Sequence, residues 1–159
     1  MTALAWAGKP SWADSARMLG AMRASARHHP WAVRIPISGL PIMPREVVWF
    51  EHALACLRDT GLTEARKASV IMLLAGYVRN LATTEADIAV AIQASGLSPA
   101  EWMSSYPRIL RQLTDPERFP ALTAFIAAGV FEAADAPDDE FIFGLDRILD
   151  GVAVLIEAG

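Results

Sequence analysis

The sequence predicts an all-α fold, a bundle of about six helices with no sheet. Three observations carry that prediction. Apolar residues recur three and four apart along most of the 159 residues, and no stretch alternates apolar and polar as a half-buried strand would. Prolines and glycines cluster at intervals that cut the chain into segments of helix length. The C-terminal segment has apolar residues at 141, 145, 148, 149, 152, 155 and 156, one wide stripe at helical spacing. On the same helix Gly144 and Gly151, seven apart, fall on nearly one side and leave room for a second helix.

The elements follow in order. Trp12 to about Ala26 reads as the first helix, with Trp12, Ala16, Leu19 and Met22 or Arg23 roughly on one face. His28-His29-Pro30-Trp31 ends it, because the residue before a proline is pushed out of the helical region. Pro36, Gly39 and Pro41 mark an irregular connection. Pro44 suits the first turn of a second helix, running to about Asp59 and ended by Gly61. Val47, Phe50, Leu54 and Leu57 are its expected buried stripe. Thr63 is a good N-cap for a third and longest helix, from Glu64 past Leu81 toward Ala94, closed by Ser95-Gly96. Ser98-Pro99-Ala100-Glu101 joins a capping box to a proline at the first helical position, the clearest local signal in the chain. The fourth helix carries Trp102, Tyr106, Ile109 and Leu113, with a kink expected at Pro107. Asp115-Pro116 interrupts the chain, and Pro120 opens a fifth helix to about Phe131. An acidic loop from Ala133 to Asp139 leads into the last helix, whose positive end suits Asp138, Asp139 and Glu140.

Composition narrows the function. The length fits one domain with a single core. An apolar fraction of 53% and a mean hydropathy of +0.29 are high for such a chain. Uninterrupted apolar runs such as Val70 to Gly76 and Gly151 to Ile156 fall far short of the roughly 18–20 residues that span a membrane. The excess apolarity therefore points to a subunit interface, an internal ligand cavity, or both. Lys9, Pro10, Trp12 and Asp14 interrupt any secretion-signal core, and the single cysteine, Cys56, fits a reducing, cytoplasmic setting. Its neighbours Ala55 and Leu57 favour a buried small hydrophobe over a reactive thiol. Residues 1–50 hold six Lys/Arg against two acids, whereas residues 121–159 hold eight acids against Arg147 alone. The cluster Arg17, Arg23, Arg27 and Arg34 is the only conceivable nucleic-acid footprint, and it is thin.

No catalytic signature is present, no cofactor motif and no Cys/His metal spacing. His28 and His29 point roughly 100° apart on a helix end, which suits a polar terminus better than a metal shared with His52. The Asp138-Asp139-Glu140 run reads as a solvated first turn. Met18, Met22, Trp49, His52, Cys56, Met72, Tyr77, Trp102 and Tyr106, with Phe50, fall on four successive helices. Any one of them is ordinary core filling. As a set they match a pocket for a small, mainly apolar molecule between the helices at 12–26, 45–59, 64–82 and 99–113, with His52, Tyr77 and Tyr106 supplying polar tips. A small helical enzyme using His52 with Glu51 or Asp59 is a weaker reading, since no nucleophile or metal set accompanies them. An interaction module without a ligand is the third reading.

The run Phe141 to Gly151, F-x-x-G-L-x-x-I-L-x-G, resembles the end of TetR-family transcriptional regulators. So do Trp12 followed by Arg27-His28-His29-Pro30-Trp31-Ala32, the stretch Ala53 to Leu62 leading into Tyr77-Val78, and Phe119-Pro120-Ala121-Leu122. The pieces cover nearly the whole chain in the family's order. The resemblance implies the ligand-binding and dimerisation domain of a repressor, over residues 12–159, with no enzyme activity, metal or cofactor. Residues 1–11 look like the linker that follows the family's helix-turn-helix, which has no counterpart here, so DNA is a partner only through that missing element. Asn80 replaces the small residue the family pattern has after Tyr-Val, and the metal-chelating drug pocket of the namesake is not recognisable. The last helix and the long helix are expected to pair with their two-fold mates as a four-helix interface of a homodimer. Its candidate residues are Tyr77, Asn80, Phe141, Leu145, Ile148, Leu149, Val152 and Leu155, of which about half must face their own core. Burying an interface of order 2,000 Å² would keep so apolar a chain in solution.

Overall fold

A computed structural model describes residues 14–36, 39, 41–131, 136 and 138–158. They form α1 (Ser15–His28), α2 (Pro44–Cys56), α3 (Glu64–Ser95), α4 (Pro99–Leu113), α5 (Pro120–Ala127) and α6 (Asp139–Glu157), with a 3-10 turn at Pro30–Arg34. There is no strand among the described residues. The expected all-helical order holds. Trp12, residues 1–11 and most of the loop before α6 lie outside the described residues.

Helix ends sit where the local chemistry puts them. Thr63 caps α3, its hydroxyl accepting the Arg66 N–H at 3.4 Å. At α4 the Ser98 hydroxyl accepts the Glu101 N–H at 3.3 Å, and the Glu101 carboxylate accepts the Ser98 N–H at 2.8 Å. Two helices stop short of expectation. α2 ends at Cys56 rather than near Asp59, because the Leu57 N–H turns back to the Leu54 carbonyl. α5 ends at Ala127 rather than Phe131, because the Gly129 N–H bonds the Ile126 carbonyl and its φ of 71° leaves the right-handed region. Pro107 is accommodated inside α4 and buried.

By compactness the chain divides within α3 into two units, residues 1–86 with 141–159, and residues 87–140. The single core read from the sequence is therefore a property of the first unit. Its buried cluster joins Met18 and Leu19 of α1, Ala53 and Leu57 at the end of α2, Val70, Ile71, Leu74 and Val78 of α3, and Phe141, Leu145 and Val152 of α6. Leu19 and Val78 are completely covered, each such side chain contributing about 1.5–3 kcal/mol. The expected α2 stripe needs correction at Val47, which is 49% exposed. The face that meets the core runs instead through Trp49, Ala53 and Leu57, four apart, and Val47 lies off it. Within the second unit the buried described residues are Pro107 and Ile126.

Candidate functional site

α1, α2 and α3 meet around a small cavity of about 10 Å³, close to the size of one water. Ser15, Met18 and Leu19 line it from α1, Trp49 and Ala53 from α2, Leu57 from just beyond α2, and Ile71 and Leu74 from α3. Helical spacing of three or four brings each group to one face. Among the described residues, no charged side chain lines the cavity. Two of the lining residues, Ser15 and Trp49, carry polar atoms. The Ser15 hydroxyl is hydrogen-bonded with the Cys56 thiol. The Trp49 Nε1–H is buried and finds no acceptor among the described residues.

The candidate ligand residues separate on this geometry. Met18 and Trp49 line the cavity. Met22 is half-buried against the same core. Cys56 is buried, and burial pushes its thiol pKa up, with the Asp14 charge adding and the Ser15 hydrogen bond opposing. That thiol is a small hydrophobe, as the sequence implied. His52 is half-buried and does not line the cavity. Met72 is 69% exposed, because one step beyond Ile71 turns it about 100° off the core face. Tyr77 turns the other way, toward α6. The wall residues outside the ligand set read from the sequence are Ser15, Leu19, Ala53, Leu57, Ile71 and Leu74, of which Leu19 and Leu57 were expected on buried faces. Their signal was present in the i, i+4, i+8 row Trp49–Ala53–Leu57, but small Ala53 and Ser15 carry no chemical flag.

Tyr77 fixes how α3 and α6 meet. Its hydroxyl donates to the Phe141 carbonyl at 3.1 Å, and its ring stacks on Phe141. A Cβ on Gly144 would lie 2.3 Å from the Tyr77 hydroxyl oxygen, so glycine is what admits the phenol there. Of the candidate interface residues, Phe141, Leu145 and Val152 are buried in the chain's own core, and Ile148 and Leu149 pack against it. They are not on free surface. Asn80 and Leu155 are exposed, and so is Leu73 at 54%. Leu73, Tyr77 and Asn80 form one row of α3, and Gly144, Ile148, Gly151 and Leu155 one row of α6. The Tyr77–Gly144 contact joins the two rows. Beyond it, a Cβ added at Gly76 or Gly151 would meet open space.

A charge cluster fastens α1 to α3. Glu85 accepts from the Arg23 Nη2 at 2.6 Å and from the Arg27 Nε at 3.1 Å. Arg23 is buried, its guanidinium carbon 4.5 Å from the centre of the Phe141 ring. Arg79 donates to the carbonyls of Val33 and Ile35, holding the 3-10 turn. Arg23 and Arg27, read as part of a thin nucleic-acid footprint, are therefore committed to Glu85. No group of three or more metal-ligating side chains occurs among the described residues.

In the second unit Trp102 meets Tyr106 edge-on, and Tyr106 stacks on Phe131, which meets Phe125 edge-on. These aromatics organise their own unit. No helix of the described residues is long and apolar enough to cross a membrane.

Residues 7–156 match the family model described as "Tetracyclin repressor-like, C-terminal domain". The chain is also 32% identical, over 131 residues, to the HTH-type transcriptional repressor DrrR1 of Streptomyces coeruleorubidus. That alignment covers 82% of this chain and 47% of the relative, so the chain spans about half the length of the curated relative it matches.

Proposed function

The chain belongs to the family of tetracyclin repressor-like C-terminal domains, and from that membership we propose that it is the effector-sensing and dimerising domain of a transcriptional repressor. In this reading residues 1–11 are a linker and residues 12–159 the sensing and dimerisation domain, acting in the cytoplasm without catalysis.

The observation that carries the dimer is the pair of exposed rows flanking the Tyr77–Gly144 contact. Leu73 on α3, and Gly151 and Leu155 on α6, leave an apolar, small-residue surface uncovered, with the polar Asn80 exposed beside it. Open space at Gly76 and Gly151 admits a close-packed helix pair. A second copy fills it isologously, α3 and α6 meeting their mates as a four-helix bundle. The effector is a small, mainly apolar molecule held among α1, α2 and α3. In the complete regulator its binding shifts the spacing of two DNA-reading helices.

Sedimentation velocity tests this reading. Wild type is expected to be a dimer at micromolar concentration, and the double variant Leu73→Arg, Leu155→Arg a folded monomer with unchanged helical circular dichroism. A monomeric wild type, or a variant that still dimerises, would remove the interface from this face. The one-water cavity favours a second reading, a dimerisation module without an effector. A library of small hydrophobic compounds separates the two, because a ligand of the folded state raises the melting temperature by mass action.

A further inference from the structure

We propose that Asn80 pairs amide to amide with the Asn80 of a second copy across the two-fold axis, and that this pair makes the dimer select its own chain. The inference rests on reading α3 and α6 as a dimer face, and it adds what determines the choice of partner.

Away from the core, one face of α3 carries Ser69, Leu73, Gly76, Asn80 and Thr84, at steps of three and four, and all are exposed. The hydroxyls on this face bond within the helix. That of Ser69 donates to the Ala65 carbonyl at 3.0 Å, and that of Thr84 to the Asn80 carbonyl at 3.0 Å. Neither needs water as its partner, so both can enter a dry contact. Asn80 differs. Its side-chain amide makes no hydrogen bond among the described residues. Covering it with an apolar surface would strand a buried acceptor and two donors. Near a two-fold axis, however, a residue meets its own copy. Two amides so related satisfy one another, the Oδ1 of each accepting from the Nδ2 of the other. Gly76, one turn away, has open space where a Cβ would stand, so a partner helix can come near enough for such short side chains to meet. A chain with a small or apolar residue at this place would leave the amide buried and unpaired. That mismatch is the source of selectivity.

Equilibrated mixtures of mass-tagged wild type and Asn80→Ala, read by native mass spectrometry, test the pair. Chance alone makes about half of the dimers mixed. With the pair, fewer than about one fifth are expected, because only the mixed dimer strands an amide and is disfavoured about fivefold or more. The Asn80→Ala homodimer is expected to be about as tight as wild type, since both amides are removed together. Asn80→Asp sets two carboxylates against each other and is expected to weaken the dimer about tenfold or more at pH 7, read by sedimentation. Mixing at the chance ratio, or an Asn80→Asp dimer as tight as wild type, overturns the pair while the dimer reading stands. A monomeric wild type, or a dimer that survives the double variant Leu73→Arg, Leu155→Arg, overturns both. Should Asn80→Ala fail to fold, the Asn80→Asp dissociation constant decides alone.

Discussion

Glu85 is the residue on which the first unit's polar energetics turn. Burial alone would raise its carboxyl pKa, but hydrogen bonds from Arg27 and Arg23, together with their charges, outweigh burial and hold it below the ordinary value. A lowered folded pKa means a contribution complete above the free glutamate value, about 4.3, and lost as pH falls through the folded value. Glu85→Gln is expected to cost on the order of 1–2 kcal/mol at neutral pH, because buried Arg23 loses its counter-charge. The figure stays below that for a fully buried pair, since the carboxylate keeps some solvent. Urea midpoints of wild type and variant should converge as pH is lowered from 7 toward 3.5, and a gap that persists in acid would place the stabilisation elsewhere. Gly144 is the second decisive residue. The Tyr77 ring it touches is pinned by the Phe141 carbonyl and by stacking, so it cannot swing aside freely. Gly144→Ala is expected to destabilise by about 1–3 kcal/mol from overpacking, and adding Tyr77→Phe should recover part of the lost melting temperature by removing the nearest atom.

Among the elements, α4 starts on the strongest local signal and α6 carries the most ambiguous one. The Ser98 hydroxyl and N–H both bond the Glu101 carboxylate and hold its pKa below the usual carboxylate range. Ser98→Ala is expected to cost about 1 kcal/mol of helix stability, seen as faster amide exchange in the first turn of α4 while α1 and α2 are unaffected. The α6 stripe shows where periodicity stops being informative. A face more than 100° wide can serve one core and one partner at once, and the sequence marks both halves alike. Phe141, Leu145 and Val152 went to the chain's own core, while Leu155 stayed outside. A charge at Leu145 would therefore test folding, and a charge at Leu155 tests association.

At the scale of the whole molecule, the two units differ in what they bury. The large apolar cluster lies in the first, whereas in the second many large apolar side chains remain open, Leu113 at 71% and Phe125 at 49% exposed. Local opening costs least where few apolar contacts are covered. Native-state hydrogen exchange is expected to show lower opening free energies for the amides of α4 and α5 than for α1 and the Val70–Ala82 stretch of α3. Equal protection in both would show that the second unit draws stability from contacts beyond its own residues. Such exposure in a chain of 53% apolar composition is also the molecular ground for expecting association.

What the sequence determined by itself was everything governed by local rules. The helical period fixed the number and order of helices. Thr63 and Ser98 marked the starts of α3 and α4, although α2 and α5 ended short of the expected positions, and the final run with its ordered companions marked the family. Those features depend on neighbours a few residues away, so they are written in the chain. Tertiary structure decided which of several equivalent faces met which. It chose the Trp49–Ala53–Leu57 row over Val47 and turned Met72 outward. It drew Arg23 and Arg27 onto Glu85, some 60 residues away, instead of leaving them as a basic surface. It closed the cavity to about one water and buried the Trp49 indole N–H with no partner among the described residues. Those outcomes depend on the angle at which helices cross and on the sizes of side chains meeting from distant segments, and neither quantity is legible in a one-dimensional pattern.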